Sequence, residues 1–267
     1  MSWNRISEGV TFYTASFTHF HTYTDWGLIL ESDNVSFPQV SGVIDRWEEM
    51  YGRSFVDFRK EYGRRKLIFD LGKSKVDSRW PALVSTITGT IHGKKCRVVR
   101  DCESTVYYIG RCNVTSYVTH LGIGKVRIEV DAEPFKTALS NVTASLDSTA
   151  LKTSYVPFTG QTDFNSIIST LSFTFDSDPG DISILVSNNF GSQIDISDVD
   201  AGIVEIDGIN KEISRRPSGG GTQISLMSKC TKLTRFPLVV PGSNSIRIYP
   251  NNLPITRAYV TYAPKFI

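Results

Sequence analysis

Three stretches read together decide the fold: Ile91-His92-Gly93-Lys94-Lys95, then Thr105-Val106-Tyr107-Tyr108-Ile109-Gly110-Arg111, then Lys125-Val126-Arg127-Ile128-Glu129-Val130-Asp131-Ala132-Glu133-Pro134-Phe135. They read as the end of a helix, a strand, a turn, a second strand and a third strand. In the third, Val126, Ile128 and Val130 alternate with charged residues, so one face is buried and the other is wet. Pro134 closes the domain. Nothing in the three stretches resembles an active site.

Working outward, the helix runs from about Asp77 to His92. Asp77 and Ser78 are good N-cap types, and Pro81 is tolerated in a first turn. Trp80, Leu83, Val84, Ile87 and Ile91 share one apolar face at helical spacing. Gly93 ends the helix, because glycine enters the left-handed conformation cheaply. Lys94 to Arg100 is a strand, and Asp101 to Ser104 is a polar turn. Upstream, Thr11 to Tyr23 is rich in β-branched and aromatic residues. Asp25-Trp26-Gly27-Leu28-Ile29-Leu30-Glu31 continues it as a short buried strand.

Downstream the composition changes. From Lys136 to about Thr153 the chain is Ser/Thr-rich, as suits a linker or an opening edge strand. Beyond it, short alternating runs recur: Leu171 to Phe175, Ile182 to Val186, Ile203 to Ile206, Gln223 to Met227 and Ile246 to Tyr249. Asp178-Pro179-Gly180 and Asp207-Gly208 are turns, and Pro217 to Gly221 is an exposed loop. The fold class is mainly β. An N-terminal β-sandwich-like domain with one helix occupies 1–136, and an all-β jelly-roll or galectin-like sandwich occupies 137–267.

A chain of 267 residues suits two cores. Hydrophobic content of 40% and charged content of 21% fit a globular protein. With 29 basic and 27 acidic residues the net charge is +2, so no global field draws it to nucleic acid or an anionic membrane. No apolar run reaches the roughly 18 residues of a membrane span. The N-terminus lacks a secretory stretch, so synthesis in the cytosol is expected. Asn113-Val114-Thr115 and Asn141-Val142-Thr143 then read as chance matches to a glycosylation pattern.

Chemistry is sparse. Cys96, Cys102, Cys112 and Cys230 have neither zinc nor disulfide-framework spacing and read as reduced thiols. His19 and His21 share one strand face, but a metal would need further ligands from afar. Asp195, Asp198 and Asp200 lack the glycine and distal glutamate of a calcium loop and read as a solvated turn. Gly219-Gly220-Gly221 is no phosphate loop. There is no nucleophile elbow, and His92 and His120 sit at a helix end and a turn. No cofactor, metal or catalytic role is expected. All four tryptophans (Trp3, Trp26, Trp47, Trp80) lie in the first 80 residues. That weakens sugar stacking by the second half.

The most basic segment, 59–79, holds eight basic residues against three acidic ones. Phosphate binding and a plain solvated surface are alternatives. A subunit contact fits better, since charge complementarity sets register. Arg59, Lys60, Arg64, Arg65 and Lys66 are the candidate interface residues.

Several stretches, in order, resemble the phage distal tail protein family. They are Asp25 to Leu30, Gly52 to Phe58, Tyr62 to Phe69, Ile91 to Lys95, Tyr107 to Arg111 and Glu129 to Phe135. In the second half they are Val204 to Gly208, Phe236 to Ile246 and Ala258 to Tyr262. The family's turn near the first hairpin is replaced here by the sequence from Val43 to Gly52, which leaves that loop open. The resemblance implies a virion protein of the tail tip, assembling as a homo-hexamer. Its N-terminal domains would form the channel, and its C-terminal sandwiches would project outward. It would join the tail tube protein to the tail-tip or tail-associated lysin protein, with a receptor-binding protein attached in some phages. The rivals are a carbohydrate-binding module for host attachment and a wall hydrolase.

Overall fold

The computed structural model describes residues 8–15, 18–49, 52–146, 154–158, 166–187, 191–239, 242–250 and 255–266; for 40–49, 52–61, 154–158, 166–169, 242 and 243 it describes the backbone alone. The chain divides into two compact units, one of residues up to Thr137 and one from Ala138 to Phe266.

The first unit contains β1 (Val10–Tyr13), β2 (His19–His21), β3 (Ile29–Val35), β4 (Val40–Glu49), β5 (Gly52–Tyr62), β6 (Arg65–Ser74), α1 (Trp80–Ile91), β7 (Lys95–Arg100), β8 (Val106–His120) and β9 (Ile123–Ala132). Seven of these strands form one path, β2-β1-β7-β8-β9-β6-β3, while among the described residues β4 and β5 pair only with each other. The pairings along the path are antiparallel.

This sheet is coiled on itself. Phe12 on β1 meets Phe69 on β6 edge to face at 6.2 Å, although three strands separate them in the path. Arg100 on β7 likewise reaches Asp33 on β3. The strands' right-handed twist makes such curling natural. Inside lie Val10, Phe12, Leu67, Phe69, Leu71, Ile128 and Val130, together with the face of α1 made by Trp80, Val84, Ile87 and Ile91. Leu83 packs against the same cluster, so all five residues of the expected apolar stripe face it.

Three local expectations need correction. The helix starts at Trp80, with Arg79 as its N-cap and no side-chain cap. Asp77 closes a turn instead: its Oδ1 accepts the Arg79 N–H at 2.9 Å and its carbonyl accepts that of Trp80 at 3.1 Å. The last helical residue is Ile91, and His92 is already extended, followed by Gly93 at φ +73°. Second, Asp25 to Gly27 is not strand. Residues 22–26 turn, held by Asp25 N to His21 O and Gly27 N to Tyr23 O bonds, and β3 begins only at Ile29. Trp26 and Leu28 are buried all the same. Third, in the stretch left open, Val43 to Glu49 lie on β4 and Gly52 on β5, which pair as a long hairpin with a bulge between Gly42 and Ile44. The Gly52 to Phe58 stretch lies on β5.

A short strand, β10 (Lys136–Ala138), lies where the chain passes into the second unit. There follow β11 (Val142–Leu146), β12 (Ser154–Phe158), β13 (Ser166–Phe175), β14 (Gly180–Ser187), β15 (Ser192–Val199), β16 (Gly202–Asp207), β17 (Glu212–Arg216), β18 (Ile224–Ser225), β19 (Cys230–Leu233), β20 (Leu238–Val239), β21 (Gly242–Tyr249), β22 (Ile255–Tyr262) and β23 (Lys265–Phe266). One sheet runs β11-β22-β13-β16-β17-β18 with β20 beside β13, and the other runs β12-β21-β14-β15-β19. Leu171, Phe173, Val204, Ile206 and Val260 of the first meet Ile184, Val186, Ile194, Ile196 and Ile248 of the second in one core. That is a β-sandwich. Of the expected strands, Gln223 to Met227 gives only the two residues of β18 before a 3-10 turn. The Ser/Thr-rich passage supplies the edge strand β11, and 147–153 lie outside the described residues.

Candidate functional site

Strand alternation splits the expected basic interface. Arg59 and Lys60 lie on β5, where the backbone alone is described. Lys66 and Arg64 project to the solvent face, where Lys66 pairs with Glu129 at 2.8 Å and Arg64 with Asp131 at 2.6 Å. Arg65 points the other way, is only 3% exposed, and is not part of that surface. A residue between two outward neighbours on a strand must face inward.

The solvent face of β3, β6 and β9 carries a ladder of ion pairs. Besides the two above, Arg127 meets Asp70 at 2.7 Å and Lys125 meets Glu31 at 2.7 Å. Arg127 holds the Asp70 carboxyl below the usual carboxylate range, helped by the Ser32 hydroxyl. A cleft of about 470 Å³ opens here between Glu31, Asp70, Ser116, Val118, Lys125 and Arg127. Its charges are already paired, so no lone nucleophile, base or phosphate clamp is offered.

The edges of this face are more informative. On β8, pairing with β7 stops at Lys95↔Arg111. Two backbone bonds join Cys112 to Gly93 and Lys94, and His92 Nδ1 accepts the Val114 N–H at 3.0 Å. Beyond that point β8 keeps β9 on one side, and every residue from 115 to 120 is exposed. Tyr117 is 56% exposed, Val118 54% and Leu121, at the hairpin tip, 88%. At the other end of the path β3 pairs only with β6 among the described residues. Thus β8, β9, β6 and β3 form a four-stranded face whose two flanks both present strand edges.

A second constellation lies between strands far apart in sequence. Arg100 bonds Asp33 (Nε–Oδ2 2.9 Å) and Glu103, and Glu103 also accepts the Tyr108 hydroxyl at 2.8 Å and an ion pair from Lys136. Burial pushes the Tyr108 phenol up to about 12. Burial works against the Arg100 cation, but contact with Asp33 outweighs it and raises the group. Arg65 sits 5.5 Å from the Tyr108 ring centre, with Nε and Nη2 buried and unpartnered; burial lowers its pKa. Sequence reading missed this cluster because 67 residues separate Asp33 from Arg100.

The remaining candidates do not converge. His21 Nε2 bonds Asp101 at 3.0 Å while His19 lies against Tyr13, so they share no ligand geometry. Asp198 pairs with Lys229 at 2.9 Å, Asp200 with Arg215 at 2.6 Å, and Asp195 bonds Ser183 and Gln193. These aspartates lie in and just after β15 and do not form one solvated turn. Cys96 and Cys112 are buried neighbours; Cys102 is exposed and Cys230 half-buried. Among the described residues no group of three His, Cys, Asp or Glu is placed to hold a metal ion, and no helix is long and apolar enough to cross a membrane.

No family model and no curated protein matches the chain. Solved structures do. The crystal structure of Dit (gp 19.1) from phage SPP1 aligns over 97% of this chain and 99% of that one, with a TM-score of 0.69 and 11% identity. Two structures of the phage p2 baseplate in its activated conformation, with Sr and with Ca, align over the same shares at 8% identity, with TM-scores of 0.47 and 0.45. At such identity the SPP1 match is a likeness of architecture: the chain has the fold of a phage Dit protein, the distal tail fold that its motifs resemble.

Proposed function

We propose that the protein is a structural, non-catalytic hub at the tail tip of a long-tailed phage or prophage. Its first unit builds a homo-hexameric ring between the tail tube protein and the tail-tip or lysin protein, where a receptor-binding protein can also attach. SPP1 Dit, whose fold it shares, is described as a paradigm of the hub adsorption apparatus in phages that infect Gram-positive bacteria.

One observation carries the ring: among the described residues the four-stranded face ends in an open edge on both flanks, β8 beyond Cys112 and β3. An open edge carrying exposed apolar side chains is a template for another strand. Two different edges of one sheet joined head to tail make a heterologous contact, which closes into a ring when the rotation per copy permits. The paired ladder beside them supplies register more than affinity.

Light scattering on the purified protein, alone or with tail tube protein, should find a species of about six copies. Joint Tyr117→Lys and Val118→Glu substitution should leave the circular dichroism and melting of the subunit intact but abolish that species. A wild-type protein that stays monomeric at every concentration and with the tube partner would sink the hub reading. A ring that survives the double substitution would sink the role of the β8 edge.

A further inference from the structure

The outer face of the five-stranded sheet in the second unit holds a cleft of about 540 Å³, lined by Asp181, Ser183, Asp195, Ser197, Thr231 and Tyr249 among others. That volume lies within the range of small-molecule sites. Its cross-section follows from strand register. Ser183 on β14 stands opposite Tyr249 on β21 and opposite Asp195 on β15. A small residue therefore separates a large aromatic wall from a carboxylate, at two strand spacings or about 10 Å. Tyr249 is 37% exposed, so part of its ring is available.

Asp195 is held in place. Its Oδ1 accepts the Ser183 hydroxyl at 2.5 Å, and both its oxygens accept from Gln193 Nε2 at 3.0 Å. Gln193 is itself fixed through Oε1 by Lys232 Nζ at 2.8 Å. A carboxylate accepts about four hydrogen bonds, so these donors leave capacity for a hydroxyl of a ligand. The lining has two carboxylates, and Lys232, which stands opposite Asp195 on β19, is already engaged by Gln193, so the cleft favours a neutral ligand rich in O–H donors over an anion. An aromatic face beside an oriented acceptor suits a pyranose, whose C–H face is apolar and whose rim carries hydroxyls.

We propose that this cleft binds a neutral saccharide, with Tyr249 stacking on the sugar ring and Asp195 accepting from its hydroxyls. The absence of tryptophan from the second half does not exclude this, since the tyrosine supplies the flat surface. The inference does not depend on the hub reading: a protein that formed no ring could still bind sugar, and a ring could form without it.

The test is saturation-transfer NMR on the full-length protein with methyl glucoside, methyl galactoside, N-acetylglucosamine and rhamnose, with glycerol phosphate as the anionic comparison. Sugars would be titrated to about 50 mM, to cover the weak affinity of an open cleft. At least one neutral sugar should bind. Tyr249→Ala should weaken it about tenfold, as loss of an aromatic contact does, while Tyr249→Phe stays near wild type. Asp195→Asn should also weaken it, with melting curves showing that the variants fold. Overturning results are no neutral sugar bound, binding undiminished in both Tyr249→Ala and Asp195→Asn, or preference for glycerol phosphate.

Discussion

At the residue scale, the costliest groups are those turned inward against their chemistry. Arg65 is a cation with two orphaned N–H groups, tolerated because its plane lies near the Tyr108 ring. Nearby, burial alone would raise the Glu103 carboxyl, but hydrogen bonds from Lys136 and Tyr108 outweigh it and hold it below the usual carboxylate range. A carboxyl whose folded pKa is depressed stabilises fully above its unfolded value, and that contribution is lost as pH falls through the folded one. Glu103 should therefore weaken the first unit below roughly pH 4.5. Urea midpoints from pH 7 to 3 should show a smaller acid loss for Glu103→Gln, which should also cost about 1–2 kcal/mol at neutral pH. Gly110 tests packing. A Cβ there would lie 2.5 Å from Val130 Cγ1 and 2.8 Å from the Asp131 carbonyl. Backbone cannot retreat as a flexible side chain can, so Gly110→Ala should destabilise by about 1–3 kcal/mol in chemical denaturation.

Among elements, α1 forms for reasons visible in its sequence and stays because of what it covers. It has no acidic first turn, no basic last turn and no side-chain cap. Isolated, it would be marginal at 12 residues. Burial of Trp80, Val84, Ile87 and Ile91 holds it in place. Ile87→Ala should cost about 2–4 kcal/mol, while Thr86→Ala, on the exposed side, should change stability little. Equal effects from the two would argue that the helix is not seated on this core. The same logic explains the misplaced cap: Asp77 had a nearer use, closing the turn before Arg79. The β4–β5 hairpin was hidden because its sequence, from Val43 to Gly52, has no Asn-Gly or Asp-Gly turn.

For the whole molecule, two separate cores mean two sets of cooperative contacts. Calorimetry should resolve two transitions. Ile87→Ala should lower one and Phe173→Ala, fully buried in the second core, should lower the other. If either substitution shifted both transitions equally, the chain would be melting as a single unit. On the scale of assembly, added salt should slow formation of the proposed ring more than it loosens the subunit. Exposed ladder charges steer association and are screened, whereas the buried cores are not.

The sequence alone determined what depends on neighbours along the chain. Period-two runs fixed β9, β14 and β16, the helical spacing fixed α1, and Gly93 fixed its end. Tertiary structure decided what depends on residues brought together from afar. It turned Arg65 inward while Arg64 and Lys66 stayed out, joined Asp33 to Arg100, ran β8 past the end of β7, and set Tyr249 across Ser183 from Asp195. The physical reason is register: a one-residue change in how two distant strands align moves a side chain from water to core, and local sequence does not encode that alignment.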